Sequence, residues 1–212
     1  MTSSVAQHPP KVAVVYYSGT GNVKAIADAI VAGAADAGAE TRLLKVAETA
    51  PQAAVDSNDA WKAHAAETAD VTIVSHDDLR WADAVVFGTP TRYGNISSQL
   101  GSFIDTLGGL WSNGELADKV YSGFTSTATA HGGRETTLQA LYTSVQHWGG
   151  ILVTPGYTDP IQFTTGTPYG PSNASGGGDP VSDDIKAGAE LTGRRVATVA
   201  AQLIAGRAAL AA

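Results

Sequence analysis

The sequence predicts an α/β fold, a parallel sheet with helices on both faces. Apolar runs at 12–17, 84–88, 120–125 and 151–155 alternate with helical patterns at 23–37, 97–107, 135–148 and 184–210, the order of a parallel sheet with crossover helices. The runs are rich in Val, Phe and Ile without alternation, as in strands buried on both sides. Three of them break into small polar residues directly before a helix.

The chain has 212 residues, 43% hydrophobic and 16% charged, enough for one domain with a sizeable core. Residues 1–10, "MTSSVAQHPP", lack the apolar centre of a signal peptide and read as a disordered tail; residues 11–212 read as a single domain. A formal charge of −7 disfavours a general nucleic-acid binder or a protein held on anionic membrane. The absence of cysteine excludes disulfides, thiolate nucleophiles and Cys-ligated metal centres. No apolar run approaches the roughly 20 residues of a membrane span, and a cytoplasmic protein is expected. His8, His64 and His76 lack metal-ligand spacing and read as solvated.

The first strand, 12–17, stops at Ser18-Gly19-Thr20-Gly21-Asn22, and a helix follows with Ile26, Ala29 and Ile30 on one face. Ligands of open parallel sheets bind outside the carboxyl ends of the strands. Backbone N–H groups at a helix start favour an anion, and Ser18, Thr20 and Asn22 add side-chain donors. No Lys or Arg lies in the turn, which suits a phosphate monoester held by neutral donors. A Walker A loop fails because Asn22-Val23 follows Gly21, and a dinucleotide fingerprint fails because Lys24 replaces its third glycine. An ordinary glycine-rich turn with a Ser or Thr cap accounts for the same residues.

A weaker strand at 41–46 follows the Gly38 stop signal, and residues 49–80 form a polar, Ala-rich connection with some helical character. The strand at 84–88 ends in "FGTPTRYGN": Thr89, Thr91 and Asn95 offer polar contacts, Pro90 stiffens the loop, Tyr93 presents an aromatic face and Gly94 permits close approach. The strand at 120–125 ends in "FTSTATAHGG", rich in small donors. Each loop alone has a structural explanation. Three at one sheet edge suit a phosphate at the first and a planar ring between the other two. After the strand at 151–155, residues 156–182 are too long for an ordinary connection. The Asp183-Asp184 pair then favours the dipole of the last helix.

The segments "YYSGTGN", "VFGTPTRYGN", "GGLW" at 108–111, "FTSTATAHGGRETT", "HWGG" at 147–150 and "GTPYGPS" at 166–172 resemble the flavodoxin-like NAD(P)H:quinone oxidoreductases of the WrbA type, the tryptophan-repressor-binding proteins. The resemblance spans most of 11–195. It implies a flavodoxin-like, five-stranded parallel sheet and an FMN whose 5′-phosphate occupies Ser18, Gly19, Thr20, Gly21, Asn22 and Val23. It assigns Thr89, Pro90, Thr91, Arg92, Tyr93, Gly94 and Asn95 to the first ring-side loop. Ser126, Thr127, Ala128, Thr129, Ala130, His131 and Gly132 fall in the second. His147 maps to a catalytic histidine beside the flavin, and Trp111 to the substrate side. Two departures stand out: Thr20 replaces an aromatic residue associated with the nicotinamide cofactor, and the second ring-side loop is one residue longer.

The implied reaction is two-electron quinone reduction by NADH or NADPH in ping-pong exchange, with hydride passing through flavin N5. Backbone N–H groups of 126–131 would stabilise the reduced flavin, and His147 would contact the quinone oxygen or donate a proton. A helix-end packing role for His147, a core-anchor role for Trp111 and a surface ion pair for Arg92 stand beside these. The resemblance also implies a homotetramer with flavin sites near subunit contacts. The principal alternative is a flavodoxin-type electron carrier, which the dispersed acids and the 156–182 loop argue against. An FMN-dependent protein adaptor and a cofactor-free phosphate-binding domain are weaker rivals.

Overall fold

The first strand, β1 (Lys11–Tyr16), is buried along nearly its whole length. It leads through the glycine turn into α1 (Asn22–Asp36), whose Ile26 and Ile30 are fully buried. Next come β2 (Glu40–Lys45), three short helices, α2 (Gln52–Asp56), α3 (Asp59–Glu67) and α4 (His76–Trp81), and the fully buried β3 (Ala84–Pro90). The chain continues through α5 (Ser98–Asp105), α6 (Gly108–Ser112), β4 (Val120–Thr127), α7 (Arg134–His147), β5 (Ile151–Leu152), α8 (Ile161–Thr165), β6 (Ser172–Ala174) and the 29-residue α9 (Asp183–Ala211). These elements come from a computed structural model that describes residues 8–211. Seven of the ten residues expected as a tail lie outside that range; Pro10 is buried, and its carbonyl accepts from the Glu40 N–H at 2.9 Å.

The strands pair in parallel in the order β2-β1-β3-β4-β5, the flavodoxin-like arrangement expected. Val14 stands between Leu43 and Val86, which fixes the central register. From β1 the chain steps outward to β2, then returns to the other side of β1 for β3. That reversal opens a crevice at the carboxyl ends of β1 and β3.

Two apolar layers hold the sheet. Val12, Val14 and Val86 pack with Ile26, Ile30, Ala189 and Val196 on one face; Val15, Val85 and Phe87 pack with Leu100, Leu138, Leu141 and Trp148 on the other. α1 and α9 cross at glycines. A Cβ on Gly33 would lie 2.0 Å from the Glu190 carbonyl oxygen, and one on Gly193 would lie 2.1 Å from that of Ile30. Only hydrogen fits at either point.

The fifth strand differs from its expected 151–155 extent. β5 pairs with Val120 and Tyr121, and β6 takes the neighbouring place beside Thr125–Thr127. Pro155 has no N–H to continue a ladder and Gly156 turns at φ 55°. The chain therefore leaves the sheet, forms α8 and returns. The connection at 49–80 is also more ordered than its composition suggests, holding α2, α3 and α4. Among the described residues, no helix is long and apolar enough to cross a membrane.

Candidate functional site

The loops after β1, β3 and β4 meet over the crevice and enclose a cleft of about 430 Å³. Ser18, Gly19, Thr20, Asn22 and Val23 line it from the first turn. Gly21, at φ 99°, turns the chain into α1 from behind, and its N–H donates to Ser18 Oγ at 3.1 Å. The N–H groups of Thr20, Asn22 and Val23 find no acceptor among the described residues. Among the other helices, α3 and α5 carry side-chain caps, Asn58 accepting from the Trp61 N–H and Ser97 from the Leu100 N–H, while the short α2, α6 and α8 carry none. α1 and α7 instead begin on left-handed glycines, Gly21 and Gly133, with no side-chain cap. α1 reaches the cleft itself through Asn22 and Val23, so its free donors and the positive end of its dipole lie at the lining, while α7 starts just beyond Gly132.

Pro90, Thr91, Arg92 and Tyr93 line the cleft from the second loop. Arg92 and Asn95 exchange backbone hydrogen bonds at 2.8 and 3.0 Å, with Tyr93 and Gly94 both at positive φ between them. This tight turn holds the Tyr93 ring fully exposed at the lip. Behind it Thr91, Thr125 and Thr137 join hydroxyl to hydroxyl at 3.0 and 3.2 Å, fixing the loop to β4 and α7. Thr89 Oγ1 accepts from the Ser97 N–H at 2.9 Å, a structural position outside the lining. Gly94 and Asn95 stand outside it too.

Ser126, Thr127, Ala128 and Gly132 line the cleft from the third loop, whereas Thr129, Ala130 and His131 lie exposed beyond it. A Cβ on Gly133 would lie 2.8 Å from Gly94 Cα, so the second and third loops touch backbone to backbone. The 156–182 connection adds Ser175, Gly177 and Gly178, which the sequence reading did not single out. The Ser175 N–H donates to the Thr127 carbonyl at 2.8 Å, so β6 carries these residues to the edge. Placement after the last strand was the available signal; the interruption of that strand hid the register.

Arg92 is the charged residue among those described as lining the cleft. Lys24 is held at 2.7 Å by Asp28. The end of β1 is anchored through Glu48, whose carboxylate accepts from the Tyr17 hydroxyl at 2.8 Å, the Gln99 amide at 2.8 Å and the Trp61 indole N–H at 3.2 Å. Burial alone would raise this carboxyl, but the Ala50 N–H, the Gln99 amide, the Tyr17 hydroxyl and the Thr49 N–H draw it below the usual carboxylate range.

His147 and Trp111 stand together, but not at this cleft. They share a shallow hollow with Ile104, Asp105, Leu107, Gly108 and Trp148. His147 ends α7, whose first residue follows the third loop; fourteen residues at 1.5 Å each put it about 20 Å away. His147 therefore does not line the cleft of its own chain. Trp111 is 56% exposed, which also removes the core-anchor reading. His64 corrects the sequence reading as well: it is 5% exposed, not solvated, because α3 carries it under the first turn.

The residues present fit a flavin mononucleotide. An anionic end would meet unpaired donors at the uncapped start of α1, and a planar body would meet the walls at 90–93 and 126–128. A family model described as NADPH-dependent FMN reductase matches residues 10–158. A protein of Deinococcus radiodurans named NAD(P)H dehydrogenase (quinone) is 47% identical over 197 residues, spanning 92% of this chain and 98% of its own. One of the same name from Aromatoleum aromaticum is 40% identical over 208 residues, spanning 94% and 100%. Among solved structures, a flavodoxin, WrbA-like protein from Agrobacterium tumefaciens superimposes with a TM-score of 0.66 at 30% identity, covering 91% of this chain and 98% of that one.

Proposed function

The chain belongs to the NADPH-dependent FMN reductase family and its WrbA-type branch, and on that premise we propose that it reduces quinones with NADH or NADPH through FMN in the cytoplasm. The observation that carries this is the uncapped first turn, whose Thr20, Asn22 and Val23 line the 430 Å³ cleft with N–H groups that have no acceptor among the described residues. Bound FMN would supply the two-electron redox chemistry that links a nicotinamide to a quinone.

The chain's own residues bind and orient. Thr20, Asn22 and Val23 hold the phosphate with charge-assisted hydrogen bonds. Pro90, Thr91 and Tyr93 on one side and Ser126–Ala128 on the other would bracket a ring, and the third-loop N–H groups would offset negative charge on it. Arg92 is placed to meet an anionic group of either nucleotide. The Ser175–Gly178 segment narrows the opening and limits water.

His147 and Trp111 serve this reaction from a neighbouring subunit in a homotetramer. The reading rests on their shared exposure in an apolar hollow of their own chain, a surface better covered by protein than by water. Steady-state rates at varied NADPH and quinone test the exchange. Parallel double-reciprocal lines support it, and intersecting lines reject a shared site.

A further inference from the structure

The first turn holds no cation of its own, yet a buried imidazole backs it. A Cβ on Gly21 would lie 3.6 Å from His64 Nδ1. His64 is 5% exposed, and Nδ1 has no hydrogen-bond partner. The Glu67 carboxylate lies 3.5 Å from Nδ1, close enough to attract but short of a hydrogen bond.

The charged surroundings are mixed. Glu67 on α3 favours a protonated ring. Lys24 on α1, paired with Asp28, and Lys45 on β2, bound to the Thr68 carbonyl, oppose it. The Tyr16 hydroxyl on β1 is also buried and unpartnered, and burial with Asp28 and Glu67 pushes it up to about 12, so it stays neutral. Glu48 lines the same pocket behind Ser18 but is committed to the bonds described above. Burial, the largest influence on His64, holds its imidazole below the usual histidine range.

We propose that His64 is a proton-linked positioning residue of the phosphate turn, neutral in the free protein and protonated when a phosphate dianion settles on the other side of Gly21. The proposal rests on the FMN reading of the cleft. Two negative charges held in a partly dehydrated turn act on the ring through one layer of backbone, where water cannot screen them fully. The proton comes from solvent, and the ring's charge offsets the dianion without touching it. The sign is distinctive. The phosphate's own second ionisation near pH 6 would by itself weaken binding as pH falls. Proton uptake at His64 works the other way.

The test is a pH titration of imidazole ¹⁵N signals in histidine-labelled protein, free, with saturating FMN and with riboflavin, which lacks the phosphate. The His64 signal is assigned by its loss in His64→Gln. FMN should raise its midpoint by about one pH unit or more, and riboflavin should leave it unchanged. FMN affinity of His64→Gln should fall about threefold or more at about pH 6 and match the parent at about pH 8.5, where the ring is neutral in both. If FMN binds more tightly than riboflavin but the midpoint stays fixed, or if His64→Gln keeps the parent's pH dependence, this proposal alone is overturned. If FMN binds no more tightly than riboflavin, the phosphate is not in the turn, and the cofactor reading falls with it.

Discussion

The Trp111 indole N–H donates to the carbonyl oxygen of His147 at 3.2 Å, joining α6 to the end of α7 on a surface that the chain's own cleft does not reach. Such a pair acts on a flavin only across a subunit boundary. Sedimentation with FMN at micromolar protein should therefore give a tetramer, more readily than without FMN, because a ligand that favours the assembly stabilises it. A monomer with full quinone activity would reject this account of Trp111.

His147→Ala should lower quinone turnover about tenfold or more, in line with loss of a proton donor or orienting group. FMN affinity should change much less. Flavin titration beside steady-state rates separates the two; a defect wholly repaired by excess FMN makes His147 a cofactor anchor.

Replacing Thr20 and Asn22 together with Ala should weaken FMN by roughly 1–3 kcal/mol, the worth of one or two charge-assisted bonds. Riboflavin binding should be nearly unaffected, and FAD should bind less well than FMN. Fluorescence quenching measures all three, and an unaltered FMN affinity in the double variant would show that the Thr20 and Asn22 side chains make no phosphate contact, leaving it to the N–H groups of the turn.

The α1–α9 crossing predicts an asymmetry between glycines. Gly193→Ala places a Cβ 2.1 Å from the Ile30 carbonyl oxygen, while Gly206, farther along α9, has nothing within 4 Å. Thermal unfolding should show Gly193→Ala destabilised by about 1–3 kcal/mol or more. Gly206→Ala should be neutral or gain about 0.5–1 kcal/mol from helix propensity. Equal midpoints for the two variants would contradict the crossing.

Asp78 predicts acid sensitivity. Burial would raise its carboxyl, but the Ser75 hydroxyl and N–H and the Arg42 guanidinium at 2.8 Å hold it below the usual range. A depressed folded value contributes stability that is present above the unfolded value of about 3.9 and lost as pH falls through the folded one. Asp78→Asn should be less stable than the parent near neutrality, and the gap should close as pH drops below about 4. Urea unfolding across that window measures it, and a constant gap would show that the charge is not the source.

The alternation of strands and helices along the chain and the three loops were legible because each rests on local signals. An apolar run, small polar residues and a helix start lie within one short window around Ser18, around Thr91 and around Ser126. What was hidden depends on pairing across distance. Nothing in "IQFTTGTPYGPSNAS" announces that Ser172–Ala174 take the place beside Thr125–Thr127 and carry Ser175 to the cleft. His64 looks solvated in its Ala-rich surroundings, because only the docking of α3 under the turn buries it. His147 and Trp111 were assigned by motif alone, and a motif carries no information on which end of α7 meets the cleft.

The central claim is that this cleft holds one FMN per chain and passes electrons from a nicotinamide to a quinone. An anaerobic titration followed at the flavin absorbance tests it most directly. Protein incubated with FMN and freed of excess should be yellow at one flavin per chain, bleach with a stoichiometric amount of NADH or NADPH, and regain its colour fully on adding one equivalent of benzoquinone. A protein that retains no flavin, or a retained flavin that neither nucleotide bleaches, would contradict the account.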